Sequence, residues 1–163
     1  MDKYLSYLIL ESISRGCSTR SCIMRKFSGI DKSKIEETLQ ALRNAGYIVE
    51  KVEGKLLKRI KYELTEDGKR LLENLRQEIR KELNDRINKA KESIHVDKEG
   101  ALKHIEPIKE YLPLMYMLGL IEDIAFLTML GDLLGIPLLL EDMSLATQEL
   151  DELEKEGIDD IEL

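Results

Sequence analysis

At 163 residues, 43% hydrophobic and 35% charged, the chain has enough apolar material to bury a core, which excludes a disordered or low-complexity polymer. Two cysteines exclude a disulfide-dense scaffold, and the absence of Trp leaves the core mostly to Leu and Ile. The net charge of −7 conceals a split: residues 1–91 hold 21 Lys and Arg against 14 Asp and Glu, seven positive, and residues 92–163 hold 4 against 18, fourteen negative.

In chain order, the first predicted element is a helix from Tyr4 to Ser14, with Leu5, Leu8, Ile9 and Ile13 at helical spacing and Arg15-Gly16 ending it. Ser18 or Thr19 caps a short second helix that buries Ile23 and Phe27, and Ser28-Gly29 is the turn after it. Ser33 and Glu36 read as a capping box for a third helix whose inner face is Ile35, Leu39 and Leu42, with Gly46 at its C-terminal stop. Two strands follow, Tyr47 to Val52 and Leu56 to Leu64, joined by turn chemistry at Glu53-Gly54. Thr65 caps the next helix, with Glu66 and Asp67 in its first turn, where the helix dipole favours carboxylates.

That helix carries Leu75, Ile79, Leu83, Ile87, Ala90 and Ile94 at spacings of three or four, for about six turns at 3.6 residues each. Its remaining faces are charged, so the apolar stripe must pack on another helix, from the C-terminal half or from a second subunit. Leu75, Ile79, Leu83 and Ile87 are the residues expected at a dimer seam. Beyond a break at residues 97–100, residues 101–111 read as helical with Pro107 as a kink or boundary. Residues 114–134 are strongly apolar, 138–156 read as an acidic helix, and 157–163 as a frayed tail. The expected domains are therefore 1–68, a long linking helix over 69–95, and an acidic helical region over 96–163.

The segment from Lys58 to Leu75, KRIKYELTEDGKRLLENL, resembles the wing of PadR-like and MarR-like transcription regulators, in which a basic strand leads into a Leu-Thr-x-x-Gly helix start. Here those residues are Leu64, Thr65, Glu66, Asp67 and Gly68, followed by Leu71; ahead of them LQALRNAGYI is similar to the end of a recognition helix. The resemblance spans roughly residues 4–75. It implies a winged helix-turn-helix domain followed by a long helix; with the acidic helical C-terminal region read above, the fold expected is mainly α with a small β-wing. It also implies a DNA-binding transcriptional regulator acting as a homodimer through that long helix; the C-terminal helices are then expected to serve assembly and could also sense an effector.

Physical chemistry supports double-stranded DNA as a partner independently. A helix can enter the major groove while flanking cations neutralise phosphates. The outward positions expected on the third helix include Lys32, Ser33, Lys34, Thr38 and Arg43; Arg20, Arg25 and Lys26 on the second could hold phosphates. Lys51, Lys55, Lys58, Arg59 and Lys61 form a cationic ridge along the wing. Against base-specific readout stand Glu36 and Glu37 at the head of the third helix. A winged helix also serves as a protein–protein interaction module, and the acidic half would then be its docking surface.

Cys17 and Cys22 read either as a disulfide forming a redox switch beside Arg15 and Arg20, or as two partly buried thiols. The cluster Tyr111, Met115, Tyr116, Met117, Met129 and Met143 reads as core or as the lining of an apolar effector pocket. His95 and His104 lie nine apart, not a helical ligand pair, and no metal or cofactor is expected. No nucleophile elbow, phosphate loop or dinucleotide fingerprint is present, so no enzyme is expected. Met1-Asp2-Lys3 leads into a run broken by Ser6, Glu11 and Arg15, unlike a secretory leader. The apolar region 111–140 is broken by Glu122, Asp123 and Asp132, which would be costly in a bilayer, so a cytoplasmic protein without a membrane span is expected. Sparse Asn and Gln beside abundant Glu, Lys and Ile point to a thermophilic source.

Overall fold

The computed structural model describes residues 1–133, which run α1 (Lys3–Ser14), α2 (Arg20–Lys26), α3 (Lys32–Asn44), β1 (Ile48–Glu53), β2 (Arg59–Leu64) and α4 (Glu66–Ser93). Then come α5 (Lys98–Ile105), a 3-10 segment (Glu106–Tyr111), α6 (Leu112–Met117) and α7 (Ile124–Leu133). Two compact units divide within α4, the first running through Arg76 and the second starting at Gln77. The acidic helix expected over 138–156 and the tail over 157–163 lie outside the described residues.

The first unit is organised around α1. Asp2 caps it by accepting hydrogen bonds from the Tyr4 and Leu5 N–H groups, and α3 and β2 pack against it. Leu5, Leu8, Ile9 and Leu10 are fully buried, so the helix is enclosed on more faces than the four-residue stripe in its sequence indicates. Ser6 and Ser12 tolerate burial because their hydroxyls donate to the carbonyls of Asp2 and Leu8, one turn back. Buried polar groups that find partners cost little; those that do not cost the whole desolvation penalty.

Thr19 caps α2, its hydroxyl accepting from the Cys22 N–H, as expected. At α3 the expected capping box is replaced. Asp31 is the cap, accepting from both the Ser33 N–H and the Ser33 hydroxyl, and Glu36 is left to pair with Arg20. An Asp is as strong a cap as Ser, and a start two residues earlier lengthens the helix without changing its inner face. The C-terminus closes as a Schellman motif: Tyr47 N–H donates to the Leu42 carbonyl and Gly46 N–H to that of Arg43, with Gly46 at φ +82°.

β1 and β2 pair antiparallel from Ile48 opposite Leu64 to Glu53 opposite Arg59. The connection is therefore the five residues 54–58, longer than the two-residue turn read at Glu53-Gly54, and β2 starts three residues later than expected. The base of this hairpin is fastened at two places. Tyr62 N–H donates to the Ser18 carbonyl at 2.8 Å, and Thr19 bridges Lys61, so the α1–α2 connection serves as a minimal third strand. Cys17 and Cys22 bracket that connection as a disulfide with Cα atoms 5.5 Å apart, so the two are joined and are not separate thiols.

The Leu-Thr-x-x-Gly start of α4 has a physical reading. Thr65 accepts from the Gly68 N–H at 3.0 Å while donating to the Gly46 carbonyl at 2.6 Å, and its own N–H donates to the Tyr47 carbonyl at 3.0 Å. A Cβ on Gly68 would run into that Tyr47 carbonyl oxygen. The motif thus locks the start of α4 onto the exit of α3, and only glycine permits the approach.

α4 is 28 residues, about 42 Å at 1.5 Å per residue. Leu75, Ile79, Leu83 and Ile87, expected at a dimer seam, are buried within the single chain. The stripe thus finds cover within its own chain, one of the two arrangements expected for it. In the second unit, Arg86 on α4 donates to the His104 carbonyl at 3.1 Å, and Lys91 pairs with Asp123 and lies 5.5 Å from the Phe126 ring centroid. Pro107 and Pro113 sit at the first turns of the 3-10 segment and α6, where a missing N–H costs nothing. The apolar run expected over 114–134 is accordingly two helices, with Asp123 accepting from the Phe126 N–H at the second start. Tyr111 and Met115 are fully buried core, whereas Tyr116, Met117 and Met129 are half-buried; Met143 lies outside the described residues.

Candidate nucleic-acid interface

α2 and α3 form two helices joined by a short turn, and the β1–β2 hairpin follows α3 directly. The face of α3 turned away from Ile35, Leu39 and Leu42 presents Lys32, Ser33, Lys34, Glu36, Glu37, Gln40 and Arg43 to solvent. Thr38 does not join them. It is 6% exposed, and its hydroxyl donates back to the Lys34 carbonyl at 2.8 Å, so the expected groove-facing hydroxyl is corrected to an internal one. Its position one turn from Ile35 and Leu42 places it on the flank of the buried stripe.

The expected cations fall into three groups. Arg20 pairs with Glu36, Arg43 with Glu50 at 2.8 Å, Lys51 with Glu63 at 2.7 Å and Lys61 with Glu53 at 3.1 Å. The Glu63 carboxylate holds the Lys51 ammonium above the usual lysine range. Lys32, Lys55 and Lys58 are exposed and have no carboxylate partner among the described residues. Arg25 is exposed on α2, Lys26 and Arg59 are half-buried, and Lys34 is exposed on α3. Exposed ion pairs of this kind are worth roughly 0–1 kcal/mol, so exchanging a carboxylate for a phosphate costs the domain little. Ser33 is committed by donating its hydroxyl to Asp31 at 2.8 Å, and that contact holds the Asp31 carboxyl below its ordinary range.

Between α3 and the hairpin lies a cleft of about 220 Å³ lined by Arg20, Glu36, Leu39, Gln40, Arg43, Glu50 and Tyr62. Both arginine–carboxylate pairs therefore stand around one opening. Sequence reasoning placed Arg20 and Arg43 on separate helices without bringing them together, because their carboxylate partners are 16 and 7 residues away. It placed Leu56 and Leu57 in the second strand, whereas they stand in the hairpin connection, 98% and 48% exposed.

Three short helices, a buried third-helix stripe and a hairpin laid after it define a winged helix-turn-helix domain. Residues 3–83 match the family model of the winged helix-turn-helix, spanning α1 through the first two-thirds of α4. No curated protein and no solved structure matches the chain. No helix among the described residues is long and apolar enough to cross a membrane.

Proposed function

We propose that this chain is a DNA-binding transcription regulator of the PadR-like or MarR-like kind, with α3 seated in the major groove and the β1–β2 wing on the adjacent backbone. The observation that carries the reading is that Lys32 at the head of α3 and Lys55 and Lys58 at the wing tip are exposed and without a carboxylate partner among the described residues. Arg20, Arg25, Lys26, Lys34, Arg43, Arg59 and Lys61 supply further phosphate contacts in this reading, those now in ion pairs by exchanging partners. The segments 1–68, 69–95 and 96–163 then act as reader, connecting helix and acidic assembly region in a cytoplasmic protein. A homodimer belongs to the proposal because paired domains match a two-fold site. Its seam lies away from Leu75, Ile79, Leu83 and Ile87.

Titration of duplex DNA with the wild type and with K32E/K55E/K58E tests the proposal. The wild type should bind and the triple reversal should lose binding at every salt concentration. A wild type that binds no duplex at low salt, or a variant that binds as well, would sink it.

A second reading is favoured by one observation, the exposed Glu37 beside Glu36 at the head of α3. Two carboxylates there repel phosphate and suit a protein partner. Under that reading the triple reversal leaves a stoichiometric protein complex intact and no duplex is bound by either form.

A further inference from the structure

The wing carries an aliphatic ridge that its fold does not bury. The register puts Ile48, Glu50 and Val52 on one face of the hairpin with Ile60, Tyr62 and Leu64. At the base of that face Ile48 and Tyr62 are buried; farther out Val52 and its cross-strand partner Ile60 are 63% and 42% exposed. Beyond them stands the apex, Leu56 at 98% and Leu57 at 48% exposed. Gly54 fixes this apex, since it sits at φ +106° and a Cβ there would strike the Leu57 carbonyl oxygen. Lys55 and Lys58 flank the two leucines directly, giving a cation–aliphatic–aliphatic–cation tip.

We propose that Leu56 and Leu57 form an apolar wedge that enters the DNA minor groove and partly unstacks a base step, deepening the DNA-binding reading on which it rests. Three features converge on that occupant. The ridge is narrow, two side chains at its apex, and suits a groove about 6 Å wide better than a broad protein surface. The bracketing lysines meet the phosphates that line both edges of such a groove. Val52 and Ile60, just behind the tip, meet the sugar walls. Aliphatic side chains inserted between base steps unstack them and bend the duplex, at a cost the added contact area offsets. A tip built for phosphate alone would gain nothing from two exposed leucines, which are costly to leave in water.

The test compares full-length wild type, L56S/L57S and K55A/K58A on duplexes carrying 2-aminopurine at successive positions, with binding measured across a salt series. The wild type should raise the 2-aminopurine fluorescence at one step. L56S/L57S should lose that rise and bind about ten- to a hundredfold more weakly with an unchanged log–log salt slope. K55A/K58A should lose about two units of slope, at roughly 0.9 per phosphate contact, and keep the fluorescence rise at saturation. Wild-type affinity in L56S/L57S, or duplex binding by the wild type without unstacking, overturns the wedge while sparing the DNA-binding reading, and assigns the leucines to a protein contact. Failure of the wild type to bind any duplex overturns both. Circular dichroism and thermal midpoints unchanged by the tip substitutions confirm that folding is not what the titrations measure.

Discussion

At the residue scale, the feature that sequence pattern conceals is Glu11. In the string it interrupts the apolar run of α1; in the fold it is 4% exposed and accepts from Arg15 at 2.9 Å and from Arg76 at 2.6 Å. Its second partner is 65 residues away, a distance no local periodicity reports. Burial pushes the Glu11 carboxyl up, but the hydrogen bonds and charges of Arg15 and Arg76 outweigh it and leave the group below its ordinary 4.5. A carboxyl whose folded value is depressed stabilises the fold fully above its unfolded value, and that contribution is lost as pH falls through the folded value. The stability gap between wild type and E11Q, read by denaturant unfolding, should therefore be largest near neutrality and shrink below about pH 4.5. A gap that stays constant from neutral pH to about pH 3 would contradict this. Arg76→Ala should cost about 2–3 kcal/mol, since it strands a buried carboxylate with one remaining partner. Gly68 is the opposite case. Its motif was legible in the sequence, and the Tyr47 carbonyl explains it, so Gly68→Ala should destabilise the first unit in the same measurement even though alanine favours helices.

At the scale of elements, what was legible followed from local rules. The helix starts at Thr19 and Thr65, the stop at Gly46 and the inner stripe of α3 all rest on contacts within about one turn, and the structure has each of them. What was not legible depended on distant chain. The hairpin connection is five residues because Glu53 pairs with Arg59, and the wing base is fastened by Ser18 and Thr19 rather than by its own strands alone. The disulfide closes a short loop around that fastening, so replacing both cysteines with serine should cost about 2 kcal/mol from loop entropy. It should also speed hydrogen exchange at the Tyr62 amide, which donates to Ser18; unchanged exchange there would separate the disulfide from the wing. The α4 stripe shows how periodicity finds a buried face without naming its partner. Because Ile79 and Leu83 are covered within the chain, Leu83→Ala should lower stability by about 3 kcal/mol and leave the sedimentation coefficient unchanged. A shift to a smaller species on that substitution would restore the stripe as a seam.

For the whole molecule, charge organises the account. The chain carries −7 overall, yet the domain that matches the winged helix-turn-helix model lies in its basic part and the surplus of carboxylates follows it. Sequence counting made that asymmetry visible but could not show that many of the expected wing and helix cations are already spoken for. Arg20, Arg43, Lys51 and Lys61 are each held by a carboxylate, and only the fold separates them from Lys32, Lys55 and Lys58. That separation gives the central claim a quantitative form. With those three lysines as phosphate contacts and the other cations adding to them, the logarithm of the duplex association constant should fall linearly with the logarithm of salt concentration, with a slope of about −3 or steeper per domain at roughly 0.9 per contact. The decisive measurement is that salt series on the wild-type chain. A slope of about −3 or steeper, with binding lost in K32E/K55E/K58E, is the predicted result; a slope near zero, or no duplex binding at the lowest salt, would contradict the assignment of these lysines to DNA.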